Sequence, residues 1–125
     1  MSFLHLTLPT LYVEKTAVFF ERTLGYTRGE IPGNSPVEAQ WLDMGLGQTL
    51  HVFFVAGFVI SPFESEFGRH VAVSYPLKDF PALKQRLLAE GAELIAPLRD
   101  TPFERFFFRE PVNGYVFEVV DADRR

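Results

Sequence analysis

The stretch NGYVFEVVD (Asn113 to Asp121), which reads as the last strand of the chain, places a carboxylate among apolar residues. Glu118 stands between Phe117 and Val119. Removing an ionised carboxylate from water costs several kcal/mol or more unless a partner compensates it. Either a cation meets Glu118, or this face of the strand is wet. The choice between these two explanations also bears directly on function.

Composition indicates one globular domain. The 125 residues are 47% hydrophobic and 22% charged, which is ordinary for a globular protein. The net charge of −4 and the scattered Lys and Arg argue against nucleic-acid binding. No apolar run approaches the ~20 residues of a membrane span, and no signal-peptide pattern opens the chain, so we expect a cytoplasmic protein. Zero cysteines exclude disulfides and thiolate ligands.

The pattern of apolar residues and breakers predicts the same order of elements twice. The first half reads as a strand ended by Pro9, a helix ended by Gly25, and three strands at residues 26–31, 37–44 and 48–55, the last two joined in a hairpin. A connector of residues 58–68 follows. The second half reads as a strand at 69–75, a helix ended by Gly91, and strands at 92–98, 104–110 and 114–121.

Landmark residues support this duplication. His51 follows Gly25 by 26 positions, and Glu118 follows Gly91 by 27. The sequence therefore predicts an α+β fold of two βαβββ modules, about residues 1–57 and 69–125, within one domain. We expect a curved mixed-sheet cup with the helices on the outer faces.

Side-chain alternation assigns candidate metal ligands to the concave face. His5 and His70 lie in the opening strands of the two halves, and His51 and Glu118 in the closing strands. Imidazole and carboxylate ligands suit Ni, Zn, Fe, Mn or Co, and four protein ligands on an octahedral ion leave two positions for water or substrate. Each histidine alone is more often a hydrogen-bonded surface residue; their repeat-equivalent positions favour a metal site.

Three stretches resemble the vicinal oxygen chelate superfamily, which includes glyoxalase I, bleomycin- and fosfomycin-resistance proteins and extradiol dioxygenases. These stretches are LHLTLPTLYVEKTAVFFERTLGY with His5, GRHVAVSY with His70, and FFFREPVNGYVFEVVD with Glu118. The resemblance spans nearly the whole chain. It implies paired βαβββ modules, a divalent metal held by His5, His51, His70 and Glu118, and a homodimer.

What the resemblance implies about activity is a metal-dependent lyase or isomerase that chelates two vicinal oxygens of a small substrate, with Glu118 as the catalytic base. His51 stands where glyoxalase I usually has Glu, and RDTPFERFFF lacks the glycines that help glyoxalase I hold glutathione. We expect a hydrophobic substrate pocket instead. Its candidate residues are Trp41, Phe53, Phe67 and Phe107.

Three alternatives to this activity stay open. One is a non-catalytic binding protein for a drug or antibiotic, of the bleomycin-resistance kind, with an aromatic groove. A second is an extradiol-type dioxygenase, although its facial triad needs only two His and one carboxylate. The third is a thiol transferase of the fosfomycin-resistance kind, which would need basic and polar loops that this sequence does not show.

Overall fold

The computed structural model describes residues 3–124, and the chain divides into two units, one up to Val59 and one from Ile60. The first unit contains β1 (His5–Thr10), α1 (Val13–Arg22), β2 (Thr27–Arg28), β3 (Ala39–Gly45) and β4 (Gln48–Phe54). The second contains β5 (Val71–Tyr75), a 3₁₀ turn (Leu77–Asp79), α2 (Phe80–Ala89), β6 (Glu93–Ile95), β7 (Arg105–Arg109) and β8 (Val116–Asp121). No helix among the described residues is long and apolar enough to cross a membrane.

Each unit forms one four-stranded mixed sheet with the same topology. The strand orders are β1-β4-β3-β2 and β5-β8-β7-β6. In both sheets the first strand runs parallel to the last, and the remaining neighbours are antiparallel. The predicted α+β fold of two βαβββ modules is therefore confirmed.

The registers of the two parallel pairs show how closely the units correspond. Thr7 pairs with His51 in the first unit, and Ala72 pairs with Glu118 in the second. His5 lies two residues before Thr7, and His70 lies two residues before Ala72. The equivalence of His51 and Glu118, inferred from spacing, thus holds in the hydrogen-bonded ladders, and His5 and His70 lie at the same offset from the residues paired with them.

In both units one helix covers one face of the sheet. Helix α1 packs against β3 and β4, where Leu42 and Leu50 are fully buried. Helix α2 contacts β6, and the ring of Phe80 at its start meets Phe106 of β7 edge-on at 5.2 Å. Phe106 pairs with Val119, which alternates with Glu118 along β8, so Glu118 points to the face away from α2.

Some predicted boundaries are wrong. Pro9 does not end β1 but lies inside it, because β1 is the end strand of its sheet and an end strand tolerates a proline. Strand β5 begins at Val71, so His70 precedes it. The chain turns back on itself just before His70. Arg69 forms an isolated β-bridge with Glu64, and its backbone N–H donates to the carbonyl of Phe63. Strands β2 and β6 are shorter than predicted.

Candidate functional site

The second unit brings His70 and Glu118 together. His70 Nε2 lies 3.3 Å from Glu118 Oε1, and His70 Nδ1 lies 3.1 Å from the backbone carbonyl of Ser65. A carbonyl oxygen only accepts hydrogen bonds, so Nδ1 carries the proton in this contact. In this tautomer of the neutral ring, Nε2 has a lone pair, and that lone pair faces a carboxylate oxygen. Two acceptors at this separation need a shared cation, either a proton or a metal ion.

The side chain of Arg105 forms an ion pair with Glu118. Its Nη1 donates to Glu118 Oε2 at 3.0 Å, and its Nη2 donates to Glu66 Oε2 at 3.0 Å. The Arg105 side chain is only 3% exposed. Burial acts to lower the pKa of Arg105, but the hydrogen bonds and charges of Glu118 and Glu66 outweigh burial and raise it. A protein cation therefore compensates the carboxylate among the valines.

The connector between the halves takes part in this network. Glu66 accepts hydrogen bonds from the backbone N–H groups of Leu98 and Arg99, at 2.6 and 3.0 Å. Burial acts to raise the pKa of Glu66, yet these bonds and the one from Arg105 lower it. Arg105 Nη2 also donates to the carbonyl of Arg99. Glu66 and Arg105 thus fasten the loop before β7 to the strand that carries Glu118.

Sequence reasoning missed both Arg105 and Glu66. Alternation along β7 was the available signal for Arg105, because it puts Arg105 on the same face as Phe107, which pairs with Glu118. No comparable signal existed for Glu66, since it lies in an irregular loop whose course depends on tertiary contacts.

In the first unit the other two candidate ligands are stacked. The His51 ring lies between Trp41, at 3.9 Å between centroids and 5° between planes, and His5, at 4.1 Å and 12°. His51 is 8% exposed, whereas His5 is exposed. His51 Nε2 shares a hydrogen bond of 3.0 Å with the hydroxyl of Thr49. Burial, and then the charge of His5, lower the pKa of His51.

The two pairs differ in how well they fit a metal ion. Ligand atoms bonded at about 2.1 Å in adjacent positions on one ion lie roughly 3 Å apart, and His70 and Glu118 meet that spacing. A metal-bound histidine usually donates the N–H of its other ring nitrogen to a carbonyl or carboxylate, as His70 Nδ1 does here, which leaves Nε2 for the metal. The planes of His5 and His51 are nearly parallel and do not meet at a nearby ion. Within residues 3–124, no group of three or more His, Asp or Glu side chains is arranged to hold a metal.

The four predicted pocket residues have different surroundings. Trp41 stacks on His51, and Phe53 meets His51 edge-on at 6.2 Å. Phe107 is buried, with its ring 5.2 Å from that of His70 and the Arg105 guanidinium 5.3 Å from its centroid. Phe67 is 71% exposed.

Comparison with solved structures identifies the fold. A putative glyoxalase family protein from Bacillus anthracis is 20% identical, with a TM-score of 0.77 over 97% of this chain and 94% of that chain. A mutant of the fosfomycin resistance protein FosX from Listeria monocytogenes, solved with Mn(II) and 1S,2S-dihydroxypropylphosphonic acid, is 15% identical, with a TM-score of 0.78 over 96% and 91%. The chain has the vicinal oxygen chelate fold.

The vicinal oxygen chelate fold is also that of a glyoxylase/bleomycin resistance protein/dioxygenase domain from a Frankia species, which is 17% identical with a TM-score of 0.76 over 97% of both chains. No protein-family model matches the sequence, and no curated protein matches it. The resemblance predicted from three sequence stretches is confirmed at the level of the fold. Sequence identities of 15–20% establish the fold of this chain but not its activity.

Proposed function

We propose that the protein is a divalent-metal-dependent enzyme of the glyoxalase-like class that chelates two vicinal oxygens of a small substrate. The observation that supports this proposal is the contact of His70 Nε2 with Glu118 Oε1 at 3.3 Å, with His70 Nδ1 committed to a carbonyl. Two acceptor atoms at this distance need a cation between them, and in this proposal a divalent ion supplies it. Such an ion stabilises the negative charge that develops on an enolate or oxyanion of the substrate.

The proposed ligand set is His70 and Glu118, completed by His5 and His51. The stacked rings of His5 and His51 must turn out of their common orientation before both can bind one ion. Three imidazoles and one carboxylate suit Ni, Zn, Fe, Mn or Co. Mn(II) is present in FosX structures from Listeria monocytogenes, which makes Mn²⁺ the first ion to test.

In this proposal the two oxygens of Glu118 have different tasks. Arg105 holds Oε2 at 3.0 Å, so Oε1 is the oxygen that faces His70 and the substrate. When not bound to the ion, Oε1 would be the atom that accepts a proton from the substrate, as a general base must lie within hydrogen-bond reach of that proton. The reaction class that follows is a lyase or isomerase.

Titration with Mn²⁺ tests the proposal, with free Mn²⁺ followed by electron paramagnetic resonance. We expect saturable binding by the wild-type protein, and binding at least ~10-fold weaker in His70→Ala, because an imidazole ligand is lost. Glu104→Gln is the control for a change of side chain outside the site, since Glu104 is exposed and lies one residue before β7. The control should bind like wild type. Affinity should also fall below pH ~6.5 as imidazoles take up protons.

The second candidate is a non-catalytic protein that sequesters a small molecule. The salt bridge of Arg105 to Glu118 favours it, because the carboxylate is compensated without any metal ion. The same titration separates the two functions. Absence of saturable Mn²⁺ binding, with no Mn²⁺-induced rise in melting temperature, would favour the binding protein over the enzyme.

The resemblance also suggests a homodimer, and the lack of cysteines agrees with a cytoplasmic protein. We keep both as parts of the proposal. Sedimentation equilibrium at micromolar concentration measures the first, and a mass equal to that of one chain would reject it.

A further inference from the structure

The second unit contains an apolar cavity of about 160 Å³, and one of the residues that line it, Phe107, also contacts the ring of His70. It lies on the sheet face that carries Phe107 and Val116 and is closed by residues that follow β6. Its apolar lining consists of Ile95, Ala96, Leu98, Phe107 and Val116. Ala96 and Leu98 are exposed, so the cavity opens to the surface of this unit.

Charged residues in the cavity wall are already engaged within the protein. Glu66 accepts hydrogen bonds from Leu98, Arg99 and Arg105. Arg109 donates to the carbonyls of Gly114 and Glu64. A polar ligand group in this cavity would lose its bonds to water without gaining new ones, which costs free energy. An apolar group pays no such penalty and gains from leaving water.

The size of the cavity limits the group that fits. Cavities of about 150 Å³ with apolar walls accept benzene or xenon. Phe107 links this space to the candidate site, because its ring lines the cavity and also lies 5.2 Å from the ring of His70. We propose that the cavity binds an apolar substituent of the substrate, about the size of a benzene ring, while the substrate's vicinal oxygens face His70 and Glu118. The placement of the substrate's oxygens rests on the proposed function, whereas binding of an apolar group in the cavity does not.

Binding of fluorobenzene to the metal-free protein tests the cavity alone, by ¹⁹F NMR. We expect saturable binding by wild type and a loss of at least ~10-fold in Ala96→Phe, whose ring occupies the space. Ala56→Phe is the matched control, since Ala56 is exposed and lies in the first unit. It should bind fluorobenzene like wild type. A wild-type protein that shows no saturable binding, or an Ala96→Phe variant that binds equally well, overturns the proposal.

Hydroxamates test the link to the metal, because they present two oxygens on adjacent atoms. With Mn²⁺-loaded protein we expect benzohydroxamate to bind at least ~10-fold more tightly than acetohydroxamate, since only the former buries a phenyl ring. In Ala96→Phe this preference should vanish while acetohydroxamate binds as before. Equal affinities in wild type overturn the assignment of the cavity to the substrate. Failure of both hydroxamates overturns the proposed function and, with it, that assignment, but leaves the fluorobenzene result to decide whether the cavity takes an apolar ring.

Discussion

Arg105 lies between two carboxylates, Glu66 and Glu118, at 3.0 Å from each, with almost no exposed surface. Breaking a buried ion pair by removing one partner leaves a charge without compensation, which costs more than the pair itself contributes. Loss of the Arg105 guanidinium removes the charged partner of two carboxylates at once. Glu118 therefore depends on Arg105 for its place in the fold whether or not a metal binds.

We expect Arg105→Met to lower the free energy of unfolding by about 3 kcal/mol or more. Urea denaturation of metal-free protein measures this change. Arg28→Met is the control, because Arg28 also bridges two carboxylates, but these, Glu14 and Glu21, are 63% and 34% exposed, so that solvent screens both ion pairs. It should lose no more than about 1 kcal/mol. Equal losses in the two variants would show that Arg105 has no special role.

His51 makes stability depend on pH. Its pKa in the folded protein lies below the ordinary value near 6.5, because burial and then the charge of His5 disfavour the protonated ring. The unfolded chain thus binds more protons at His51 than the folded chain does below pH ~6.5. Unfolding takes up protons there, and the free energy of unfolding falls as the pH decreases through that value.

We expect this pH dependence to weaken in His51→Phe, which keeps a ring against Trp41 but has no titrating group. Thermal or urea unfolding in the presence of a chelator, between pH 5.5 and 8, measures it. Identical pH profiles for wild type and His51→Phe would mean that His51 does not titrate in this range on unfolding.

At the scale of elements, the turn between β7 and β8 is organised by a buried carboxylate. Glu110 is fully buried and accepts the backbone N–H groups of Val112, Asn113 and Tyr115, at 2.7, 2.9 and 3.2 Å. Burial raises the pKa of Glu110, opposed by these hydrogen bonds. The sequence PVNG predicts a turn, but it does not predict that the preceding Glu folds inward to bind the backbone of that turn.

The hairpin between β3 and β4 contains a strained residue. Gly45, Leu46 and Gly47 all have positive φ angles, of 93°, 56° and 76°. Glycine adopts this region freely, whereas Leu46, which is 97% exposed, gains no packing in exchange for its strain.

Replacing Leu46 by Asn should raise the free energy of unfolding by about 1 kcal/mol, because Asn tolerates the left-handed region better than Leu. The midpoint of urea denaturation measures the change. Val59→Asn is the control, since Val59 is 81% exposed and no described residue other than Leu46 and glycines has a positive φ. A stabilisation of the same size in Val59→Asn would point to reduced surface hydrophobicity and not to relief of strain.

At the scale of the whole molecule, duplication is the feature that sequence and structure share most fully. The alternation of strand residues and the helix-ending glycines predict two βαβββ modules, and both sheets have that topology. The repeat also predicts that His51 and Glu118 are equivalent, and the parallel registers Thr7–His51 and Ala72–Glu118 agree. These features follow from local periodicity, which each stretch of sequence carries in itself.

The sequence by itself determined the two modules, the hairpin at Gly45 to Gly47 and the four candidate ligands on repeat-equivalent positions. Only the tertiary structure decided that Arg105 pairs with Glu118, that His51 is stacked between Trp41 and His5, and that Glu66 in the connector fastens the loop before β7. The physical reason is the separation along the chain over which each kind of interaction acts. Periodicity and turn chemistry act between near neighbours in the chain, whereas an ion pair or a ring stack depends on where distant segments meet.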